Sequence, residues 1–293
     1  MEMVLLGERI TAEEGYRDDL LDLVGADAGW LPRVLAADEV AGRWEGAVVG
    51  PGTGDNMAAS LGLGLRPGDL ALSLGTSGTA FTVAERPSAD ATGAIAGFAD
   101  ATGRFLPLVC TLNATKVTDA VGRLLGRDHE AFDQLALAAP PGADGLVLVP
   151  HFDGERTPNR PEATGTLTGL RPGVGPEQVA RAAVEGVVAN LLAGTDDLHA
   201  DGRVLLIGGG ARSAAYRQVV ADLTGRPVVV PHEQELVACG AAVQAAAVLT
   251  GAGFDEVTEA WALDRGEVVE PTAGVDGAAI RAAYAHAAAL PGS

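Results

Sequence analysis

Three glycine-rich segments combine residue types that suit anion binding and proton transfer. Asp55 lies in the segment GPGTGDN at 50–56, GTSGT occupies 75–79, and LLIGGGARS occupies 205–213. Glycine allows close approach of the backbone to a ligand and leaves N–H groups to face an anion. A carboxylate can accept a proton from a substrate hydroxyl. These segments are therefore the first candidates for a functional site.

The segment 75–79 sits between two apolar runs within residues 69–85, which predict two strands joined by a tight turn. Backbone N–H groups of such a turn, together with the hydroxyls of Thr76 and Ser77, can hold a phosphate. The alternative is an ordinary β-turn, in which glycine and serine are common.

The segment 205–213 is an apolar run that ends in three glycines and is followed by a predicted helix. The positive end of a helix favours an anion or a polar ring edge. The pattern is neither GxGxxG nor a Walker A loop, which requires GK[ST]. The alternative interpretation is a plain strand-to-helix turn. Such a turn does not need three successive glycines, so they indicate ligand contact.

Two other polar features have structural interpretations from spacing alone. Asp55 precedes a predicted helix at 57–65, so an Asx-type helix cap is favoured over a general base. The loop HFDGERTP contains His151, Asp153, Glu155 and Arg156, and it is predicted to be solvated with a local ion pair.

The remaining pattern predicts an α/β fold, with a mixed sheet flanked by helices. The predicted strands beyond 69–85 lie at 104–110, 145–150, 203–207 and 227–231. The predicted helices lie at 16–24, 57–65, 114–126, 129–139, 176–199, 214–223, 236–250 and 277–289.

The composition argues against several classes of protein. The chain of 293 residues carries 39 acidic and 20 basic residues, a formal charge of −19, so a nucleic-acid partner is not expected. Cys110 and Cys239 are far apart, which argues against a disulfide framework or zinc site. The first residues do not read as a signal peptide and no run is long enough to span a membrane, so a cytoplasmic protein is expected.

The order GDN, SLGTSGT, LLIGGGARS resembles the FGGY carbohydrate kinases of the actin-like ATPase superfamily. A second match consists of GTLTGL at 165–170, Gln178-Val179 and AAVE at 182–185, which follow the C-terminal signature of that family. The segment GERTP at 154–158 and the phrase YRDDLLDLVG from Tyr16 are similar to xylulokinases among its members.

The resemblance implies an actin-like ATPase (ribonuclease H-like) fold and transfer of the ATP γ-phosphate to a primary hydroxyl of a sugar, here D-xylulose. Asp55 would be the general base, and Mg²⁺ would bridge the phosphates. The phosphate loop would comprise Gly75, Thr76, Ser77 and Gly78, and the adenosine motif Gly208, Gly209, Gly210, Ala211 and Ser213. The implied partners are ATP and a small sugar, with no nucleic acid and no membrane, and homo-oligomerisation stays open.

The chain departs from the family pattern in its first part. No Asp-x-Gly-[Thr/Ser] loop precedes Asp55, so residues 1–66 are interpreted as the end of a first kinase domain and residues 67–293 as the nucleotide-binding domain. Cys239 also stands where xylulokinases often have an acidic residue. The alternatives are a nucleotide-binding module without kinase activity and a kinase for another pentulose or polyol. A sugar-responsive regulator is disfavoured by the acidic charge.

Overall fold

A computed structural model describes residues 16–290, which form two compact units. The first comprises residues 16–69, 82–108 and 231–265 of the described chain, and the second comprises 70–81, 109–230 and 266–290. Each unit consists of three separate segments of the chain. The boundary between residues 66 and 67 therefore stays a prediction.

The first unit contains four helices and three short strands within the described residues. They are α1 (Asp18–Val24), β1 (Gly42–Trp44), β2 (Ala47–Val49), α2 (Asp55–Gly62), β5 (Ile95–Ala96), α7 (Leu236–Thr250) and α8 (Phe254–Ala260). Strands β1 and β2 form an antiparallel hairpin, with Arg43 opposite Val48.

Helices α2 and α7 lie unusually close together because two glycines form their contact. A Cβ atom on Gly240 would lie 1.8 Å from the carbonyl oxygen of Ala58, and one on Gly62 would lie 2.1 Å from the carbonyl oxygen of Leu236. Real Cβ atoms do not approach other atoms that closely, so this contact requires glycine at both positions. The pair thereby fixes the helix that begins at Asp55.

A small apolar core lies beneath these helices. It consists of Leu61, Ala101, Val243, Ala247 and Val257.

No single helix in residues 16–290 has the length and apolar composition to cross a membrane. The segments Leu236–Thr250 and Phe254–Ala260 meet that test only as a pair, bent by 118°.

The second unit contains most of the mixed sheet and five helices of the described chain. Its strands are β3 (Leu70–Leu74), β4 (Gly78–Thr82), β6 (Leu108–Thr111), β7 (Val147–Val149), β8 (Thr166–Thr168), β9 (Val204–Ile207), β10 (Val228–Pro231) and β11 (Gly266–Val269). Its helices are α3 (Thr115–Leu125), α4 (His129–Ala138), α5 (Pro176–Ala193), α6 (Ala214–Thr224) and α9 (Gly277–Ala288).

Strand order in this part of the sheet is β11-β10-β9-β3-β4-β6. Strand β9 is parallel to both of its neighbours, with Val204 aligned to Leu70 of β3 and to Val228 of β10. Strand β3 returns directly into β4 through three residues, a connection that only antiparallel strands can make. The predicted mixed α/β sheet is therefore confirmed.

Helix α5 runs through the interior of this unit. Pro176 occupies its first turn, and the Gln178 side chain accepts a hydrogen bond from the Gly175 N–H at 3.0 Å, which defines its start. At Gly186 a Cβ atom would lie 2.1 Å from the carbonyl oxygen of Leu148, so the helix rests directly on β7. Residues 180–192 are buried.

The predicted elements are found with shifts of a few residues, and three differences have local causes. The helix predicted at 176–199 ends at Ala193, before Gly194, and a 3₁₀ turn follows at Asp196–Leu198. The helix predicted at 57–65 starts at Asp55 and ends at Gly62. Helix α8 and five strands were not predicted, because segments of two to seven residues are too short for a clear period. The five strands are β1, β2, β5, β8 and β11. Residues 1–15 lie outside the described chain.

Candidate functional site

The two predicted glycine loops leave the same edge of the sheet. Parallel pairing aligns Ser73 of β3 with Ile207 of β9, so Gly75 and Gly208 follow their strands at matching heights. In open α/β sheets, ligands bind beyond the carboxyl ends of the strands. The sequence therefore identified two segments that the fold brings together.

The glycines of 208–210 have different roles. Gly208 has φ +84°, and a Cβ atom there would lie 2.7 Å from the carbonyl oxygen of Leu74. A Cβ atom on Gly210 would lie 2.7 Å from the Leu74 Cβ. By contrast, a Cβ atom on Gly209 would meet nothing within 4 Å. Gly208 and Gly210 thus allow the loop to cross β3, while Gly209 borders open space.

The turn at 75–78 is held by the segment that follows β6. Thr115 donates from its N–H and its Oγ1 to the carbonyl oxygen of Gly75, at 2.9 and 2.8 Å. The Ala114 N–H donates to the carbonyl oxygen of Thr76 at 3.2 Å. The side chains of Thr76 and Ser77 are exposed at the tip. The turn is therefore anchored by its carbonyl groups and presents its hydroxyls to solvent.

The start of helix α6 already carries a carboxylate of the chain itself. Ser213 caps the helix by accepting from the Tyr216 N–H at 3.1 Å. Its hydroxyl donates to Asp133 at 2.6 Å, and Asp133 also accepts from the Ala214 N–H at 2.9 Å. The anion expected at this helix end is thus supplied by Asp133, because a carboxylate there satisfies the free N–H groups.

A cavity of about 820 Å³ opens beside the 208–213 loop within the second unit. Its walls come from α3, α4, the 3₁₀ turn at Gly209–Arg212 and the start of α6. On one wall the hydroxyls of Tyr216 and Thr118 are 3.1 Å apart. Burial raises the pKa of Tyr216, so its hydroxyl stays protonated. The residues lining the cavity include Gly209, Gly210 and Ser213.

Asp55 belongs to the first unit, where it is the first residue of α2. The residue that caps this helix is Gly54, so the Asx-type cap expected from spacing is not formed. Asp55 Oδ1 accepts from the Asn56 N–H at 2.8 Å. The side chain is exposed, and its Oδ2 has no hydrogen bond to any part of the chain that the structure describes.

The loop at 151–158 is half buried, which contradicts the fully solvated loop predicted from its composition. Glu155 is 1% exposed and His151 is fully buried. His151 Nε2 lies 3.2 Å from Asn190 Oδ1, and that oxygen also accepts from the Tyr284 hydroxyl at 2.8 Å. Burial lowers the pKa of His151, so the ring is neutral. Asp153 and Arg156 match the prediction, since both are exposed. The ion pair that Asp153 forms, with Lys116 at 3.9 Å, is not local in the sequence.

The spaced signature from 165 to 185 serves packing. A Cβ atom on Gly169 would lie 2.1 Å from the carbonyl oxygen of Gly145. Glu185 is buried and accepts from Arg181 Nε at 2.6 Å and from the Gly142 N–H at 2.9 Å. Burial raises the pKa of Glu185, and the Arg181 guanidinium opposes that shift.

Sequence reasoning missed the roles of three residues that shape the site. Thr115 holds the turn, Asp133 occupies the start of α6, and Glu155 anchors the segment before Thr115. Each acts on a partner at least 40 residues away, so no local pattern could reveal it. Within residues 16–290, no group of three or more His, Cys, Asp or Glu side chains is placed to hold a metal ion.

A mixed α/β sheet, with two glycine loops at one edge and a cavity beside them, is here that of the actin-like ATPase fold. Residues 70–249 match the C-terminal domain of the FGGY family of carbohydrate kinases. The chain belongs to this family.

Individual relatives agree with the family. The chain is 48% identical over 271 residues to a xylulose kinase of Streptomyces coelicolor, which covers 88% of this chain and 55% of that protein. The crystal structure of xylulose kinase from Bifidobacterium adolescentis matches with a TM-score of 0.79 and 39% identity, covering 95% of this chain and 59% of that one. The crystal structure of xylulose kinase from Rhodospirillum rubrum matches with a TM-score of 0.81 and 28% identity, covering 94% of this chain and 59% of that one. The chain spans about half the length of the curated relatives it matches.

Proposed function

We propose that this chain is part of a cytoplasmic kinase that transfers the γ-phosphate of ATP to a primary hydroxyl of D-xylulose, giving D-xylulose 5-phosphate. The observation that carries the proposal is the cavity beside the 208–213 loop, in a chain that is similar to curated xylulose kinases. A cavity of this size suits a nucleotide.

The geometry of the two glycine loops supports a nucleotide site in the second unit. Gly209 borders open space, so the adenosine would lie against 208–211 and Ser213. The phosphates would then extend to Gly75, Thr76, Ser77 and Gly78, which leave the same sheet edge. The exposed hydroxyls of Thr76 and Ser77 would donate to phosphate oxygens.

Mg²⁺ would arrive with the nucleotide and neutralise phosphate charge. Since no cluster of metal-binding side chains is found in residues 16–290, we assign no residue of this chain to the ion.

Asp55 would be the general base that accepts the proton of the sugar hydroxyl. Its exposed carboxylate at the start of α2, with Oδ2 outside the hydrogen bonds described above, supports that role. Proton acceptance and orientation by such a group contribute about 10²–10⁴ in rate. Residues 1–66 would then end a first kinase domain, and residues 67–293 would form the nucleotide-binding domain.

A second candidate is nucleotide binding without phosphoryl transfer. It is favoured by the location of both glycine loops and the cavity in one compact unit. A kinase acting on another pentulose or a polyol would share the nucleotide site.

Two measurements on the purified 293-residue chain separate these candidates. Calorimetry with ATP–Mg²⁺ tests the nucleotide site, and ADP release with D-xylulose and a panel of ketopentoses and polyols tests transfer. Turnover of D-xylulose that drops about 10²–10⁴-fold in Asp55→Asn, with ATP affinity retained, supports the kinase. Asp38→Asn, an exposed carboxylate of the same unit, is the control and should keep full rate. ATP binding without turnover of any sugar supports the second candidate, and no ATP binding contradicts both.

A further inference from the structure

The carboxylate of Glu155 is buried and has four hydrogen-bond donors around it. Oε1 accepts from the N–H groups of Leu112 at 2.5 Å and Arg156 at 2.8 Å. Oε2 accepts from the side-chain amides of Asn113 and Asn190, both at 3.0 Å. Hydrogen bonds to a charged acceptor are stronger than neutral ones. This carboxylate therefore fixes the backbone at 112–113 firmly.

The segment 112–115 connects Glu155 to the turn at 75–78. Its far end, Ala114 and Thr115, makes the three hydrogen bonds to the carbonyl groups of Gly75 and Thr76. Just before the segment, Thr111 Oγ1 lies 3.5 Å from the carbonyl oxygen of Gly78. One short stretch of chain thus contacts Glu155 at one end and the turn at the other.

We propose that Glu155 is a positioning residue for nucleotide phosphates, acting through 112–115 on the orientation of Gly75–Gly78. The proposal rests on the proposed function, because it takes that turn to be the phosphate loop. Glu155 itself is buried, so its role would not be direct contact with the nucleotide. Its effect is to fix the turn before a ligand arrives, which lowers the ordering cost of phosphate binding.

The informative variant is Glu155→Gln, which keeps the size of the side chain. Both carboxylate oxygens accept hydrogen bonds, whereas a glutamine amide offers one oxygen and one NH₂ group. In either orientation the NH₂ group faces two donors, so one side of the anchor is lost. Glu185→Gln is the matched control, because Glu185 is also buried in the second unit and its partners are Arg181 and Gly142.

The first measurement compares the affinities of ADP and adenosine for the full chain by calorimetry. Glu155→Gln should weaken ADP binding about tenfold while adenosine binding stays within about twofold, since only ADP uses the turn. Glu185→Gln should leave the ADP-to-adenosine ratio at the wild-type value. The proposal would be overturned if Glu155→Gln kept the wild-type ratio of ADP to adenosine affinity, or if it lost the same affinity for both ligands.

The second measurement needs no ligand. Amide hydrogen exchange of the free chain should be at least about tenfold faster at 75–79 and 111–115 in Glu155→Gln, with β9 unchanged. Unchanged exchange at 75–79 would overturn the positioning role. If the wild-type chain binds neither ADP nor adenosine, the proposed nucleotide site is wrong, whereas this exchange result still decides whether Glu155 fixes the turn.

Discussion

Two adjacent glycines of the 208–210 loop should respond in opposite ways to the same substitution. Gly208 has φ +84° and ψ 179°, a region that side chains other than glycine rarely adopt, and its added Cβ would press on the Leu74 carbonyl oxygen at 2.7 Å. Gly209 has open space around its added Cβ. Gly208→Ala and Gly209→Ala therefore separate a glycine needed by the fold from one that borders the cavity.

The magnitudes follow from these contacts. Backbone strain at Gly208 costs about 1–3 kcal/mol, and the collision with β3 adds about 1–3 kcal/mol. We expect Gly208→Ala to lower the free energy of unfolding by about 2–6 kcal/mol, which corresponds to a fall in Tm of about 4–24 °C. Gly209→Ala should change it by less than about 1 kcal/mol, on the stabilising side, because alanine restricts the unfolded chain.

Nucleotide affinity should show the reverse order. The methyl group of Gly209→Ala extends toward the cavity, so it should weaken ADP binding about tenfold in a chain with normal Tm. Thermal unfolding followed by circular dichroism, with calorimetric titration of ADP, measures both effects. Equal losses of Tm in the two variants would refute the assignment of these roles, as would an undisturbed Tm in Gly208→Ala.

Two further predictions concern stability. His151 has a lowered pKa in the folded chain, so the stability it contributes is present above its ordinary pKa of 6.5 and is lost as pH falls below it. Urea unfolding should show a slope of up to about 1.4 kcal/mol per pH unit there, which His151→Gln removes; an unchanged slope in that variant would contradict the assignment. Gly240→Ala should destabilise the chain by at least about 3 kcal/mol through collision with Ala58, measured by the same unfolding experiment. Gly173→Ala, with open space around the added Cβ, is its control and should change stability by less than about 1 kcal/mol; similar losses in both would disprove the close helix contact.

The parts of the fold that were predictable have local causes. Strands β3 and β9 are apolar runs that are followed directly by glycines, so the sequence pattern predicts both loops at strand ends. Their shared edge then follows from the topology of a sheet with parallel central strands. The two kinds of glycine could not be distinguished, because the difference between Gly208 and Gly209 depends on the position of Leu74 in a neighbouring strand.

The polar anchors could not be predicted for the same physical reason. Glu155 lies in a run of charged residues that is typical of a solvated loop, and its burial depends on Leu112 and Asn190, which are 43 and 35 residues away. Asp133 lies on a helix, 80 residues before the hydroxyl it binds. Burial of a charged group is decided by tertiary partners, so charge density in the sequence alone gave the wrong environment.

The contact between α2 and α7 sets a time order for synthesis of the chain. Gly62 and Gly240 are 178 residues apart, which a ribosome translates in roughly 10–35 s. Helix α2 has eight residues, and a helix this short is not stable by itself in water. During that interval, the segment with Asp55 lacks the surface on which it folds. The residue proposed to begin the chemistry is therefore placed only later, once α7 has also left the ribosome.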